Sequence, residues 1–234
     1  MKPLLIVKDI SYSIKKNSFV GKKNEKKILE NISFEVKCGE IVGIAGPSGG
    51  GKTTLAKILV GIYEPTSGEI LNSFSKTKQP APNHIQLLFQ NSEEIVNPFR
   101  KVKDILVEAL QQKNGKSFTN KERLHGLLSD VNINENALEK YCLQLSGGQR
   151  QRVALARLLA VEPEILILDE PFSAQDVESQ LNLLLLLKKI NSEKGITLIC
   201  ISHQENVLSR LTQRIIRIKE GKLISEQAIE KTET

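Results

Sequence analysis

The sequence predicts an α/β fold, and three features predict it. Residues 41–45 form a short apolar run that leads through a glycine-rich loop into a helical pattern. Two further runs, 165–168 and 196–201, are short, rich in β-branched residues and unbroken, as buried parallel strands are. Between them and the glycine loop lies a stretch, 92–145, with little strand pattern and two helical ones.

From the start of the chain, apolar runs at 4–14, 28–36 and 41–45 are separated by Lys/Asn/Gly turns and read as strands, so the opening is β-rich. After Ala45 the period changes. Leu55, Ile58, Leu59 and Ile62 recur at i, i+3, i+4 and i+7, with Gly61 and Pro65 as stop signals. In the middle, Ile105, Leu106 and Ala109 predict one helix, and Leu124, Leu127, Leu128 and Val131 predict another. The polar connector 113–120 separates them.

The chain has 234 residues, 40% hydrophobic and 26% charged, which suits a globular chain with a sizeable core and excludes a fibrous or mainly disordered one. A net charge of +6 favours anionic partners without choosing among nucleotides, nucleic acid and lipid headgroups. Part of that excess sits in Lys15, Lys16, Lys22, Lys23, Lys26 and Lys27, read as a solvated loop rather than a binding arm. Three cysteines, Cys38, Cys142 and Cys200, are widely spaced without a Cys-x-x-Cys, so neither a disulfide framework nor a zinc site is expected. The apolar start is too short for a signal peptide, and the stretch 181–187 falls far short of the roughly 20 residues a spanning helix needs. No membrane-spanning segment is expected.

Gly46-Pro47-Ser48-Gly49-Gly50-Gly51-Lys52-Thr53 fits G-x-x-x-x-G-K-[ST] in its required setting, with a strand before and a helix after. The glycines let the backbone wrap a phosphate with N–H groups inward, and the helix start adds its positive end. Lys52 is expected to neutralise the β- and γ-phosphates, Thr53 to ligate Mg²⁺, and Thr54 to donate to a phosphate oxygen. These features predict a P-loop NTPase core. The run 165–168 ends in Asp169 and Glu170, which places two acids at the carboxyl edge of the sheet. Asp169 is expected to hold Mg²⁺ through water, and Glu170 to polarise a water for in-line attack on the γ-phosphate of ATP. Helix capping before Pro171 is the competing role for either acid.

Leu145-Ser146-Gly147-Gly148-Gln149 resembles the signature of ABC ATPases. Physically, Ser146 and the two glycines open a helix through Val153, Ala156 and Leu159, leaving free backbone N–H groups as an anion site. The resemblance implies that Ser146, Gly147, Gly148 and Gln149 act in trans, on ATP held by the phosphate loop of a second ATPase subunit in a head-to-tail homo- or heterodimer. Arg150 and Arg152 are then expected to form structural ion pairs. Further landmarks follow in order: Gln90, Ser173-Ala174-Gln175-Asp176, and His203. By the same resemblance Gln90 approaches Mg²⁺ and the attacking water, Asp176 communicates across the dimer, and His203 contacts the γ-phosphate and orients Glu170. His84 and His125 are read as ordinary surface residues.

Two positions depart from the pattern. Gln175 stands where related loops carry Leu, and Ile14 stands where an aromatic often stacks on adenine, with Tyr12 on the same strand face as a substitute. The implied architecture is a mixed sheet with an N-terminal antiparallel β region and an inserted α-helical subdomain: 1–91 and 146–234 form the core, 92–145 the subdomain.

Ile85-Gln86-Leu87-Leu88-Phe89-Gln90, followed by Val96-Asn97-Pro98, looks like the subfamily serving dipeptide, oligopeptide and nickel importers. That likeness implies integral-membrane permease subunits and an extracytoplasmic solute-binding protein as partners, a peripheral place on the cytoplasmic face of the membrane, and no nucleic acid. An exporter ATPase, an ABC protein acting on nucleic acid and an ATP-binding switch with negligible turnover are the alternatives.

Overall fold

The computed structural model describes residues 3–16, 24–74, 84–90, 96–115, 120–173 and 175–229. The glycine at Gly221 lets β8 (Arg214–Lys219) turn directly into β9 (Lys222–Ala228), with positive φ at both Glu220 (51°) and Gly221 (76°), as a two-residue hairpin loop requires. That hairpin closes one edge of a six-stranded sheet of order β5-β6-β7-β3-β8-β9, in which only β9 runs antiparallel to its neighbour. The other members are β3 (Ile41–Ala45), β5 (Ile85–Leu88), β6 (Ile165–Asp169) and β7 (Thr197–Ser202). Every residue of β3, β6 and β7 is buried, which explains why these strands read as unbroken apolar runs.

A second, antiparallel sheet has the order β2-β1-β4, from β1 (Pro3–Lys16), β2 (Asn24–Lys37) and β4 (Ser67–Asn72). Because side chains alternate along a strand, β6 divides its apolar residues between two cores. Ile165 and Ile167 join the cluster under the antiparallel sheet, whereas Leu166 and Leu168 join the one that runs into the helices. Each such fully buried aliphatic contributes about 1.5–3 kcal/mol of transfer free energy.

The helical lobe contains α2 (Val102–Asn114) and α3 (Lys121–Asp130), with Ile105, Leu106, Ala109, Leu124, Leu127, Leu128 and Val131 buried as their spacing predicts. Both pack on α4 (Gly147–Leu159), and the core cluster is continuous across residues 145 and 146. The remaining helices are α5 (Val177–Lys194) and α6 (Glu205–Leu211).

The first helix corrects the sequence reading. Helix α1 spans Lys52–Leu59, burying Leu55, Ile58 and Leu59, but Ile62 is 52% exposed. Gly61 takes φ +76°, and the amides of Gly61 and Ile62 bond to the carbonyls of Ile58 and Lys57. That pair of bonds ends the helix one turn before the apolar period does. Strands β4, β8 and β9 were not expected; β4 and β9 carry few buried side chains and so little periodic signal. Cys142 and Cys200 are buried, with burial pushing both thiols up, while Cys38 is exposed. Of the lysine run, read as a loop, Lys15 and Lys16 end β1 and Lys26 and Lys27 stand near the start of β2, while residues 22 and 23 lie outside the described residues. No helix among the described residues is long and apolar enough to cross a membrane.

Candidate nucleotide-binding and hydrolysis site

The turn from β3 into α1 is tightly walled. A Cβ on Gly46 (φ +148°) would lie 2.0 Å from the Ile218 carbonyl oxygen, and one on Gly51 (φ +100°) 2.7 Å from Leu29 Cδ2. Only glycine meets both the φ and the space, so the loop is pressed between β2 and β8. Gly50 N–H donates to the Pro47 carbonyl (3.1 Å), and Gly221 N–H donates to the Gly50 carbonyl (3.1 Å). Lys52 is buried, its Nζ donating to the carbonyls of Gly46 (2.8 Å) and Pro47 (3.0 Å). The cation therefore lies across the mouth of the loop. No acidic residue in the first turn of α1 offsets the positive helix end.

Strand β6 delivers its acids beside this loop. Asp169 stands beside Thr53, and its Oδ1 is buried with no hydrogen-bond partner. Burial pushes the Asp169 carboxyl above the ordinary aspartate range; Thr53 and Lys52 oppose that shift, and the Glu170 charge adds to it. An unpartnered buried carboxylate oxygen next to a threonine hydroxyl fits a hard cation such as Mg²⁺, which takes oxygen ligands.

Glu170 sits at φ +50°, a strained conformation for a non-glycine residue. Its surroundings hold it there. Its N–H donates to the Ile201 carbonyl (2.9 Å), and its own carbonyl accepts from Ser173 N (3.2 Å) and Ser173 Oγ (2.9 Å). The carboxylate is gripped as well: Oε1 accepts from His203 N (3.0 Å), and Oε2 accepts from Ser202 Oγ (3.2 Å) with His203 Nδ1 at 3.0 Å. Since Oε2 is an acceptor, the imidazole places its proton on Nδ1. Ser173 stood among the sequence landmarks without a role, and Ser202 was not singled out; their only signal was nearness in sequence to Glu170 and His203.

Ser146 caps α4. Its Oγ accepts from Gln149 N (3.3 Å), and Gln149 Oε1 accepts from Ser146 N (3.0 Å), a reciprocal capping box. The expectation of free amides is thereby narrowed to Gly147 and Gly148, which precede the first intrahelical bond, from Arg150 N to Ser146 O. Ser146, Gly148, Gln90, Gln175 and Asp176 line one cleft of about 500 Å³, and no residue of 46–53 lines it. The signature helix tip and the phosphate loop of one chain thus do not line this cleft together. Gln90 is exposed on the wall of this cleft. Asp176 caps α5, accepting from Ser179 N (2.9 Å) and Ser179 Oγ (2.7 Å), and these bonds hold its carboxyl below the usual range.

Several residues stand differently from their expected settings. The Arg150 guanidinium bonds to the Leu145 carbonyl (2.8 Å), and that of Arg152, for which an ion pair was expected, bonds to the Asn132 carbonyl (3.4 Å). His84 is half-buried, 2.7 Å from Glu164 and stacked on Phe74, because it ties the start of β5 to the approach to β6. His125 is exposed, as expected, and lies 2.7 Å from Glu135. Tyr12 stacks parallel on Tyr63 at 5.4 Å, with one ring face already covered. Ile14 is 47% exposed, and residue 174 lies outside the described residues.

The sequence profile of the ABC transporter family matches residues 29–173. The nickel import ATP-binding protein NikE of Shigella dysenteriae serotype 1 (strain Sd197) is 37% identical, over 97% of this chain and 87% of its own. NikE of Escherichia coli (strain K12) is 36% identical over the same shares. Among solved structures, the dimeric post-hydrolysis state of the ATP-binding cassette MJ0796 bound to ADP and Pi aligns with a TM-score of 0.83 and 30% identity, covering 97% of this chain and 99% of that one. The cbiO1 protein from Clostridium perfringens, part of the ABC transporter complex cbiONQ, aligns at 0.79 with 26% identity over 97% and 89%. With the phosphate loop, the paired acids and the signature helix in place, the chain belongs to the ABC transporter family as an ATP-hydrolysing cassette.

Proposed function

We propose that this cassette powers an importer of nickel, metal chelates or peptides, and that it hydrolyses ATP sandwiched between two cassettes, with Glu170 as the base. The observation that carries the hydrolytic reading is the grip of three donor groups on the Glu170 carboxylate beside Asp169. A base for in-line attack must be fixed within hydrogen-bond reach of its water. Glu170 accepts a proton from that water as the new P–O bond forms, and the leaving ADP takes the bond electrons. His203, anchored through Nδ1, presents its other nitrogen to a γ-phosphate oxygen as an N–H donor, a contact that needs a proton on both ring nitrogens. Lys52 exchanges its loop carbonyls for phosphate oxygens. Thr53, Asp169 and Gln90 would hold Mg²⁺, which would supply neutralisation of charge at the phosphates.

That the signature tip and its own phosphate loop do not line one cleft supports completion of the site by a second cassette. The amides of Gly147 and Gly148 supply its anion-binding end. Substrate class rests on the likeness to NikE, a nickel import protein. Permease subunits, a solute-binding protein and a place on the cytoplasmic membrane face belong to the same reading.

Two measurements test it. Glu170→Gln should bind ATP, lose steady phosphate release and run as a dimer at saturating ATP; a strictly monomeric variant would overturn the sandwich. Affinity capture of the tagged chain with its membrane complex should bring down a solute-binding protein. Cells lacking the chain should lose uptake of nickel or dipeptide, and unchanged uptake of both would overturn the assignment of cargo.

A further inference from the structure

Carbonyls in the loop that follows Glu170 are held by glutamines from three directions. Pro171 O accepts from Gln151 Nε2 (2.9 Å) on α4 and from Gln175 Nε2 (3.2 Å), and Gln175 Nε2 also donates to Gln151 Oε1 (2.6 Å). One residue on, Phe172 O accepts from Gln180 Nε2 (3.1 Å) on α5. The same amide reaches Gln175 O and Gln204 Oε1, each at 3.4 Å. Gln204 N donates to Ser202 Oγ (3.1 Å), the hydroxyl that donates in turn to Glu170 Oε2. A path of hydrogen bonds thus runs from Gln151 on the signature helix through Gln175, Gln180 and Gln204 to the Ser202 hydroxyl and the carboxylate.

We propose that Gln175 is a positioning residue for hydrolysis: paired with Gln151, it clasps the loop after Glu170 to the signature helix, so that the aim of the carboxylate follows the placement of that helix. The inference rests on the reading of Glu170 as the base. Gln175 suits the task because its donors do all the bonding. Its Oε1 is buried with no partner, a desolvation cost that only the bonds from Nε2 offset. Leu, which related loops carry here, has no donor and makes no clasp. Glu170 itself needs outside support, since at φ +50° it stays in place only while its neighbours over-determine it. With Phe172 fully buried beside the clasp, a shift of α4 has little slack to absorb before it reaches Glu170.

The test is a double-variant cycle on the full chain with Gln175→Met and Gln151→Met, which keep side-chain length and remove the amide. Each single variant should lower kcat about fivefold, and the double no further than the lower single, as for two residues acting as one unit. The KM for ATP should stay within about twofold, because no clasp residue touches the phosphate loop. Wild-type kcat with a lowered unfolding temperature would make the clasp merely structural and overturn the proposal. Losses that multiply in the double variant, or that appear in KM, would overturn it as well. Should Gln175→Met fail to fold, Gln175→Leu, the residue of related loops, takes its place under the same criteria. Glu170→Gln separates the two readings: turnover retained there refutes the base, whereas turnover lost there but kept in the glutamine variants refutes only the clasp.

Discussion

His203 holds Glu170 twice, through its backbone amide to Oε1 and through its ring Nδ1 beside Oε2, each at 3.0 Å. The two contacts respond differently to substitution. His203→Ala deletes the ring but leaves the backbone donor and the Ser202 hydroxyl, so the carboxylate keeps most of its aim. We expect His203→Ala to lower kcat by about 10–100-fold, less than the 10²–10⁴-fold expected for loss of the base in Glu170→Gln. Steady-state phosphate release at saturating ATP measures both, and equal losses would show that the ring, not the backbone bond, sets the geometry.

Lys52 spends its protons on the carbonyls of Gly46 and Pro47 while it lies across the loop. Exchange of those neutral acceptors for charged phosphate oxygens strengthens both bonds. Lys52→Ala should therefore raise the Kd for ATP by on the order of tenfold or more, as for loss of a charge-assisted contact. Calorimetric titration with a slowly hydrolysed ATP analogue checks this, and an unchanged Kd would remove Lys52 from the phosphate site.

Glycines in the same loop differ in what surrounds them. Gly46 has the Ile218 carbonyl 2.0 Å from where its Cβ would stand, whereas Gly49, at φ +78°, has open space. Gly46→Ala must push β8 away and should cost roughly 2–4 kcal/mol, while Gly49→Ala meets only the backbone strain of about 1 kcal/mol. Thermal unfolding of the two variants should rank them in that order.

The legible parts of the site were those written within one stretch of chain. Gly46 to Thr53 declares a phosphate loop because spacing and flanking elements are local, and the run 165–168 declares a strand because burial on both faces leaves no polar positions. The cleft that joins Gln90, Ser146 and Asp176 was not legible, since α/β topology brings together residues far apart in sequence. Ile62 misled because an apolar period carries no mark of where Gly61 would reverse the backbone. Strands β4 and β9 stayed hidden because edge positions with exposed side chains need no apolar alternation. Gln175 was marked only as a departure from Leu, and its bonds to Pro171 and Gln151 gave no signal, as amide-to-carbonyl bonds leave no spacing rule.

Asp169 is kept ready at the expense of stability. Burial raises its folded-state pKa above the aspartate reference of 3.8, so the folded chain binds this proton more tightly than the unfolded chain does. Between the unfolded and folded values the unfolded state has already released the proton, and the folded state must follow. The stabilisation this group gives is thus complete only at low pH, falls as pH rises through that window, and stays lost at neutral pH. An amide titrates nowhere in the range. Asp169→Asn, without nucleotide or divalent metal, should therefore unfold at a higher temperature than the parent chain at pH 7. A gain on the order of 3 °C is expected, since about 1 kcal/mol moves the midpoint of a chain this long by 2–4 °C. The gap should narrow toward pH 4, as falling pH returns the proton to the parent carboxyl. Calorimetric scans at both pH values check this, and a variant less stable by the same margin at each would show that Asp169 is compensated in the folded chain. The same substitution should abolish Mg²⁺-dependent turnover, which sets the unpartnered Oδ1 apart from an ordinary buried acid: its cost to folding is the counterpart of its availability to a cation.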